Sequence, residues 1–151
     1  MPIHIPEFKP TVKAIDGKTH IWDDIRKKYL VLTPEELVRQ SLINHLIKDL
    51  NYPKSLISVE KGVRLGKKIN RSDIHVLSKE GKCFLLIECK SFKEKIDVNT
   101  MHQVAKYNAT LKADFIAVSN GLNTYCFKIN QNTNSLEDYE KLPDYPRGTN
   151  N

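Results

Sequence analysis

The stretch Arg71-Ser-Asp-Ile-His-Val76, followed by Lys79-Glu-Gly-Lys82 and Leu85-Leu-Ile-Glu-Cys-Lys90, reads as an acid-bearing hairpin. Both flanking runs have strand composition, and Glu80-Gly81 fits a tight two-residue turn. Counting outward from that turn in antiparallel register sets Asp73 opposite Glu88. Side chains alternate along a strand, so Lys90 shares the face of Glu88, while Ile74, Val76, Leu85, Ile87 and Cys89 point the other way into a core. Two hard oxygen donors beside one ammonium are the groups a metal-assisted phosphodiester hydrolase requires, carboxylates for Mg²⁺ and a lysine for water or developing negative charge. A Glu-x-Lys also fits a solvated strand edge with a weak ion pair. Against the edge reading, the strand is hydrophobic from Phe84 until the charges begin, as in a central strand whose polar end opens into a cleft. His75 shares the Asp73 face by parity and fits a packed residue as well as a site member.

Upstream, Thr33 with Pro34 and Glu36 forms a capping-box signature that starts a helix, expected to run to about Leu50 and stop before Pro53. On a helical wheel Leu42, Ile43, Leu46 and Leu50 share a face whose centre also holds Glu35 and Arg39. Glu36 is thereby assigned to capping. Glu35 is turned coreward, where it either pairs with Arg39 at i,i+4 or faces the Asp73/Glu88 site. Before this helix, Thr11 to Trp22 reads as a small hairpin turning at Asp16-Gly17, followed by the basic connector Arg26 to Tyr29.

Three strands are expected near Leu56–Leu65, Lys68–Ser78 and Lys82–Lys90. Lys61, Arg64, Lys67, Lys68 and Arg71 cluster around a glycine turn, a pattern that fits phosphate contact and a solvated hairpin equally. A second helix is expected over Val98–Lys112. Met101, Val104, Ala105 and Leu111 form its apolar stripe, and Gln103 and Tyr107 at i,i+4 can reach one target. Strands at Asp114–Ser119 and Thr124–Ile129 turn around Asn120-Gly121, and the polar stretch from Asn130 is expected to be loosely held. The organisation that follows is residues 1–32 as a hairpin and connector packed on the core, 33–130 as the core, and 131–151 as a polar tail.

The 151 residues suit one domain with a real core. With 24 basic against 18 acidic residues the net charge is +6, which favours a polyanionic partner. The first residues lack a secretory pattern and no apolar run approaches a membrane span, so the expectation is a cytoplasmic chain with no membrane partner. Cys83, Cys89 and Cys126 fall in apolar strand runs without Cys-x-x-Cys spacing and read as buried free thiols.

The order helix, three antiparallel strands, helix, strand, with Asp73, Glu88-x-Lys90 and Gln103-x-x-x-Tyr107, resembles the PD-(D/E)XK nuclease superfamily. More narrowly, Thr33-Pro-Glu-Glu-Leu-Val-Arg-Gln40, Arg71-x-Asp73-Ile74, Ile87-Glu-Cys-Lys90, Gln103-Val-Ala-Lys-Tyr-Asn108 and Ser119-Asn-Gly-Leu122 look like the N-terminal nuclease domain of type I restriction enzyme R subunits. The resemblance implies an α/β fold with a restriction-endonuclease-like αβββαβ core, a mixed central sheet flanked by helices, here preceded by the small hairpin. It also implies that Asp73, Glu88 and the main-chain carbonyl of Cys89 ligate Mg²⁺, for which Mn²⁺ can substitute, and that Lys90 assists the attacking water. Glu35 would be the first-helix acid, and Gln103 and Tyr107 would support the site and DNA. The chain departs from the family in carrying Ser91-Phe92 where Ala-Pro is usual, and in having no Gly-x-x-x-x-Gly-Lys-Ser/Thr loop for an ATP-driven motor.

Lys90 beside two carboxylates is read as an electrostatic clamp rather than a general base. The leading expectation is a Mg²⁺-dependent DNA endonuclease whose partners are DNA, other restriction or repair subunits, or a second copy in a homodimer. The alternatives are a non-catalytic DNA-binding or assembly module on the same fold, and a nuclease for structured RNA.

Overall fold

The computed structural model describes residues 2–59, 74–97, 99–101, 103–104, 112–133 and 135–147. Two sheets are present among them. A three-stranded antiparallel sheet joins β1 (Val12–Ile15), β2 (Lys18–Asp23) and β3 (Lys28–Val31). Its first turn is Asp16-Gly17, and both residues have positive φ (50° and 79°), the backbone twist that a two-residue hairpin favours. The stretch expected to be only a basic connector supplies β3. Tyr29 packs edge-on to Trp22 across the ladder, with ring centroids 5.1 Å apart, and that contact recruits the segment into the sheet.

Helix α1 (Pro34–Asn44) starts as its sequence indicates, with the Glu36 amide donating to Thr33 Oγ1 at 3.1 Å. It then widens into a π-type turn over His45–Asp49. Asn51 adopts positive φ (57°) and the Tyr52 amide reaches back to the Leu46 carbonyl, so the helix is closed before Pro53.

The main sheet runs in the order β4 (Ile57–Val59), β5 (Ile74–Leu77), β6 (Cys83–Cys89), β7 (Phe115–Ser119), β8 (Thr124–Ile129), β9 (Leu136–Tyr139). Its pairings are antiparallel except for β6 with β7, which makes the sheet mixed and the fold α/β, as a restriction-endonuclease-like core requires. One face, carrying Ile57, Ile74, Val76, Leu85, Ile87 and Cys89, packs with Val38, Leu42, Ile43 and Leu46 of the first helical segment. On the other side Leu86, Ile116 and Val118 pack with Val104. Val104 belongs to a second helical stretch, described at residues 99–101 and 103–104. Asp97 caps it, accepting from the Thr100 amide at 2.8 Å, and that bond holds its carboxyl below the ordinary range.

The described part of the tail expected to be loosely held, residues 131–133 and 135–147, is instead part of the fold. β9 forms an edge strand on β8, Leu142 and Tyr145 are buried in the core, and the Tyr52 hydroxyl donates to the Pro143 carbonyl at 2.5 Å. Its few apolar residues fall at spaced positions in a polar run, which composition alone reads as a tail. No helix among the described residues is long and apolar enough to cross a membrane.

A buried charge cluster fastens the small sheet to α1. Arg39 Nε donates to Glu36 Oε2 at 2.9 Å, a second guanidinium nitrogen pairs with Glu36 Oε1, and Gln40 Nε2 donates to Glu36 Oε2 at 3.0 Å. Gln40 Oε1 in turn accepts from the Asp24 amide at 3.4 Å, and Arg26 stands 3.9 Å from Glu36 while donating to the fully buried Asp23 at 2.7 Å. Glu36, not Glu35, is therefore the coreward acid, and Arg39 pairs with it at i,i+3 rather than with Glu35 at i,i+4. The wheel angle gives a direction but not what is packed at that height of the helix. At the first turn the arriving partner is the Arg26 loop, on the Glu36 flank.

Glu36→Ala should cost about 3–5 kcal/mol, because it leaves a buried guanidinium without its carboxylate, whereas Glu35→Ala should stay within about 0.5 kcal/mol. Urea titrations of the two variants test this; equal midpoints would remove Glu36 from its clamping role. Burial alone would raise the Asp23 carboxyl, but hydrogen bonds from the Arg26 side chain and the Arg26 and Ile25 amides outweigh it and hold it below 3.8. A carboxyl lowered in the folded state adds stability that is present above 3.8 and lost as pH falls below it. Asp23→Asn should accordingly flatten the acid limb of a melting-temperature profile taken from pH 5 downward.

Candidate functional site

The ladder from β5 to β6 pairs Ile74 with Ile87, His75 with Leu86 and Val76 with Leu85. That is the register expected from the sequence, reached by a different route. The turn is a three-residue loop, Lys79-Glu80-Gly81, closed by Ser78 and Lys82 with Gly81 at φ 86°. Leu77 then pairs with Cys83, and a bulge at Phe84 adds the residue that brings Val76 opposite Leu85. The longer loop and the bulge cancel. Asp73 lies outside the described residues, as do Tyr107, Lys61, Arg64, Lys67, Lys68 and Arg71.

The bulge leaves the alternation beyond it intact, so Leu85, Ile87 and Cys89 are buried against α1 and Glu88 takes the opposite parity. Glu88 is the penultimate residue of β6, its side chain 13% exposed, and Lys90 Nζ lies 3.9 Å from Glu88 Oε1. The two charged groups expected to share a face are thus together, at the mouth of a buried strand rather than on a solvated edge. His75 is buried within the β5 ladder. Gln103 is helical and exposed, and Glu35 is exposed in the first turn of α1.

Lys90 is held from behind. Its amide donates to the Ser119 carbonyl at 2.8 Å, extending the parallel ladder in which Glu88 pairs with Val118 and Cys89 with Ser119. The loop after it is compact: Ser91 Oγ accepts from the Lys93 amide at 3.1 Å, and the Ser91 carbonyl accepts from the Glu94 amide at 2.9 Å. The Ser91-Phe92 departure therefore produces a closed turn, with Ser91 buried and Phe92 outside.

Sequence reasoning placed Asn120 in the turn between two strands and gave its side chain no role, and the structure makes it a hub. Its side chain is buried, with Nδ2 donating to the Glu94 carbonyl at 2.8 Å and Oδ1 accepting from the amides of Leu122 at 2.9 Å and Asn123 at 2.7 Å. The β7–β8 turn and the post-lysine loop are joined through this one amide. Ser119 Oγ accepts from the Gly121 amide and bonds Thr124 Oγ1 at 2.7 Å. Gly121 has φ 87°, and a Cβ there would stand 3.0 Å from Val38 Cγ2, so only glycine lets the turn sit against α1. The signal in the sequence was Ser119-Asn-Gly itself, a polar run at the end of a largely buried strand.

Cys83 and Cys126 offer no competing nucleophile. Burial pushes the Cys83 thiol up to about 11, with Asp114 adding to it, and the Cys126 thiol up to about 12, so neither is a thiolate nucleophile near neutral pH. Among the described residues no group of three His, Cys, Asp or Glu side chains is placed to hold a metal ion, and the carboxylate at the end of β6 is that of Glu88.

No curated protein matches the chain. The family described as Type I restriction enzyme R protein N terminus (HSDR_N) matches residues 34–143, a span that holds α1, the Glu88–Lys90 end of β6 and every strand of the main sheet, and the chain belongs to that family.

Proposed function

We propose that this chain is a Mg²⁺-dependent deoxyribonuclease that hydrolyses phosphodiester bonds at the carboxyl end of β6. The observation that carries the reading is the convergence of Glu88 and Lys90 where a buried central strand opens, beside the sheet's parallel pairing. Membership in the family supports a nuclease-related role.

In this reading the metal donors are Glu88, Asp73 and the Cys89 carbonyl; Asp73 directly precedes Ile74, whose partner Ile87 directly precedes Glu88. A bound Mg²⁺, or Mn²⁺ in its place, would neutralise charge on the scissile phosphate and make its bound water a better nucleophile. Lys90 sets a positive charge beside the phosphate being cut, and its backbone is kept in place by the hydrogen bond its amide donates to the Ser119 carbonyl. Gln103 and Tyr107 would support the site from the second helical stretch. Glu36 is committed to Arg39 and Gln40, so Glu35 is the first-helix acid that substrate can approach. The DNA backbone would reach the site along Lys61, Arg64, Lys67, Lys68 and Arg71, and other restriction or repair subunits or a second copy would complete the assembly.

Supercoiled plasmid and single-stranded DNA, incubated with Mg²⁺, Mn²⁺ or EDTA, test the reading directly. The protein should cut only with metal, and Lys90→Ala and Glu88→Gln should each lower the rate about 100-fold or more while retaining the wild-type melting curve. Asp73→Asn should shrink the rise in melting temperature that Mn²⁺ produces. DNA binding without cleavage under every condition would instead identify a binding or assembly module on the nuclease fold.

The DNA path has its own readout. Binding to duplex should weaken with salt at a log-log slope of about −0.9 per phosphate contact, and replacing Lys67 and Lys68 together by Ala should flatten the slope by roughly one to two units. A wild-type slope in the double variant would move the path away from that segment.

A further inference from the structure

Two of the large apolar side chains exposed among the described residues, Phe92 (41%) and Leu122 (72%), line one cleft of about 260 Å³. Val38 of α1 and Phe8 of the N-terminal segment contribute to the other walls. The cleft is below the roughly 300–1,000 Å³ of pockets for drug-sized ligands, a size suited to one flat ring. Exposing two such side chains in water is unfavourable, and here the backbone segments that carry them are tied together by hydrogen bonds. Asn120 bonds the Glu94 carbonyl in the loop of Phe92 and the Leu122 amide in the opposing turn, so one buried side chain sets the spacing of the two jaws.

Position and charge say what the jaws hold. Phe92 is two residues past Lys90, at most about 7 Å along the chain, which is the axial rise of about two stacked nucleotides at about 3.4 Å each. The stretch 90–95 carries Lys90, Lys93 and Lys95 against the single acid Glu94, and Lys93 Nζ lies 6.0 Å from the Phe92 ring centroid. Glu7 is the charged residue that lines the cleft itself, and the lysines belong to the loop that carries Phe92. An exposed aromatic ring flanked by lysines matches the chemistry of a single DNA strand, since bases stack on the ring and phosphates meet the ammonium groups.

We propose that the Phe92–Leu122 cleft takes an unstacked base one or two nucleotides from the bond being cut, so that the preferred substrate is DNA with an unpaired segment. This rests on the nuclease reading for the identity of the neighbouring bond, but the base-binding step needs no cleavage and is measured without it.

The full chain in EDTA is titrated into fluorescein-labelled oligo(dT) and into a duplex of equal length, and into a strand carrying one 2-aminopurine. Single strands should bind more tightly than duplex, and the 2-aminopurine signal should change on binding. Phe92→Ala should weaken single-strand binding about 5- to 100-fold, duplex binding should change less than about twofold, and Phe92→Trp should restore the single-strand affinity. Phe92 is on the surface, so melting curves should not move. Wild-type single-strand affinity in Phe92→Ala, or a 2-aminopurine signal indifferent to Phe92, overturns the proposal even if plasmid cleavage depends on Lys90. Phe92-dependent stacking in a protein that cuts nothing would leave the base-binding step standing and sink the nuclease reading, with the placement beside a cut bond. A wild-type dimer in analytical ultracentrifugation that Phe92→Ala dissociates would show that a second copy fills the cleft, and would also overturn it.

Discussion

The parallel pairing of β6 with β7 is the constraint on which the rest of the architecture depends. Antiparallel neighbours can be joined by a tight turn, but parallel neighbours need a crossover, and residues 90–114 supply it. That requirement places helical residues on the face opposite α1, where Val104 packs on Leu86, Ile116 and Val118, and leaves both faces of β6 buried. It also aligns the carboxyl ends of two strands. Polar groups that follow a doubly buried strand can meet substrate only at such an end, and there Glu88 and Lys90 emerge beside the Ser119-Asn120-Gly121 turn.

How much of this was legible in the sequence depended on whether the determining interactions were local. The α1 cap, the Asp16-Gly17 hairpin and the inward alternation of Leu85, Ile87 and Cys89 are set by near neighbours, and each can be read from spacing. The β5–β6 register was legible only because two departures offset one another: the loop is one residue longer than a two-residue turn, and the bulge at Phe84 adds one back. Without the bulge Val76 would fall opposite Phe84, and the core alternation of β6 would be inverted relative to its partner. β3 and β9 were missed for the opposite reason. Tyr29 of β3 is recruited by Trp22 on the neighbouring strand, and Tyr139 of β9 by Phe115 on β7, so the composition of each segment alone does not mark it.

The two adjacent glutamates illustrate a limit of helical-wheel reasoning. Glu35 has the coreward angle, but Glu36 has the partners, because Arg39, Gln40 and the Arg26 loop all arrive on its side. Isolated charges buried in this way would be costly; here, among the described residues, Glu36 and Asp23 are met by Arg39 and Arg26. Its location explains why the small sheet is fused to the helix. β1 to β3 precede the span matched by the family, yet their loop residues complete the coordination of an acid that lies within it.

Asn120 shows the same logic at the other end of the molecule. A buried side-chain amide has two acceptor sites and two donors, and leaving them unmet is more expensive than never placing the amide there. The β7–β8 turn offers two amides to the oxygen, and the post-lysine loop offers the Glu94 carbonyl to the nitrogen. Satisfying Asn120 therefore requires that both segments be in place at once. Lys90 is tied to the same unit through the Ser119 carbonyl, and Gly121 presses the unit onto Val38 of α1. The position of the lysine beside Glu88 is thus set by the hydrogen bonding of a turn some thirty residues downstream. A change in that turn would be felt at the end of β6 without touching either charged group.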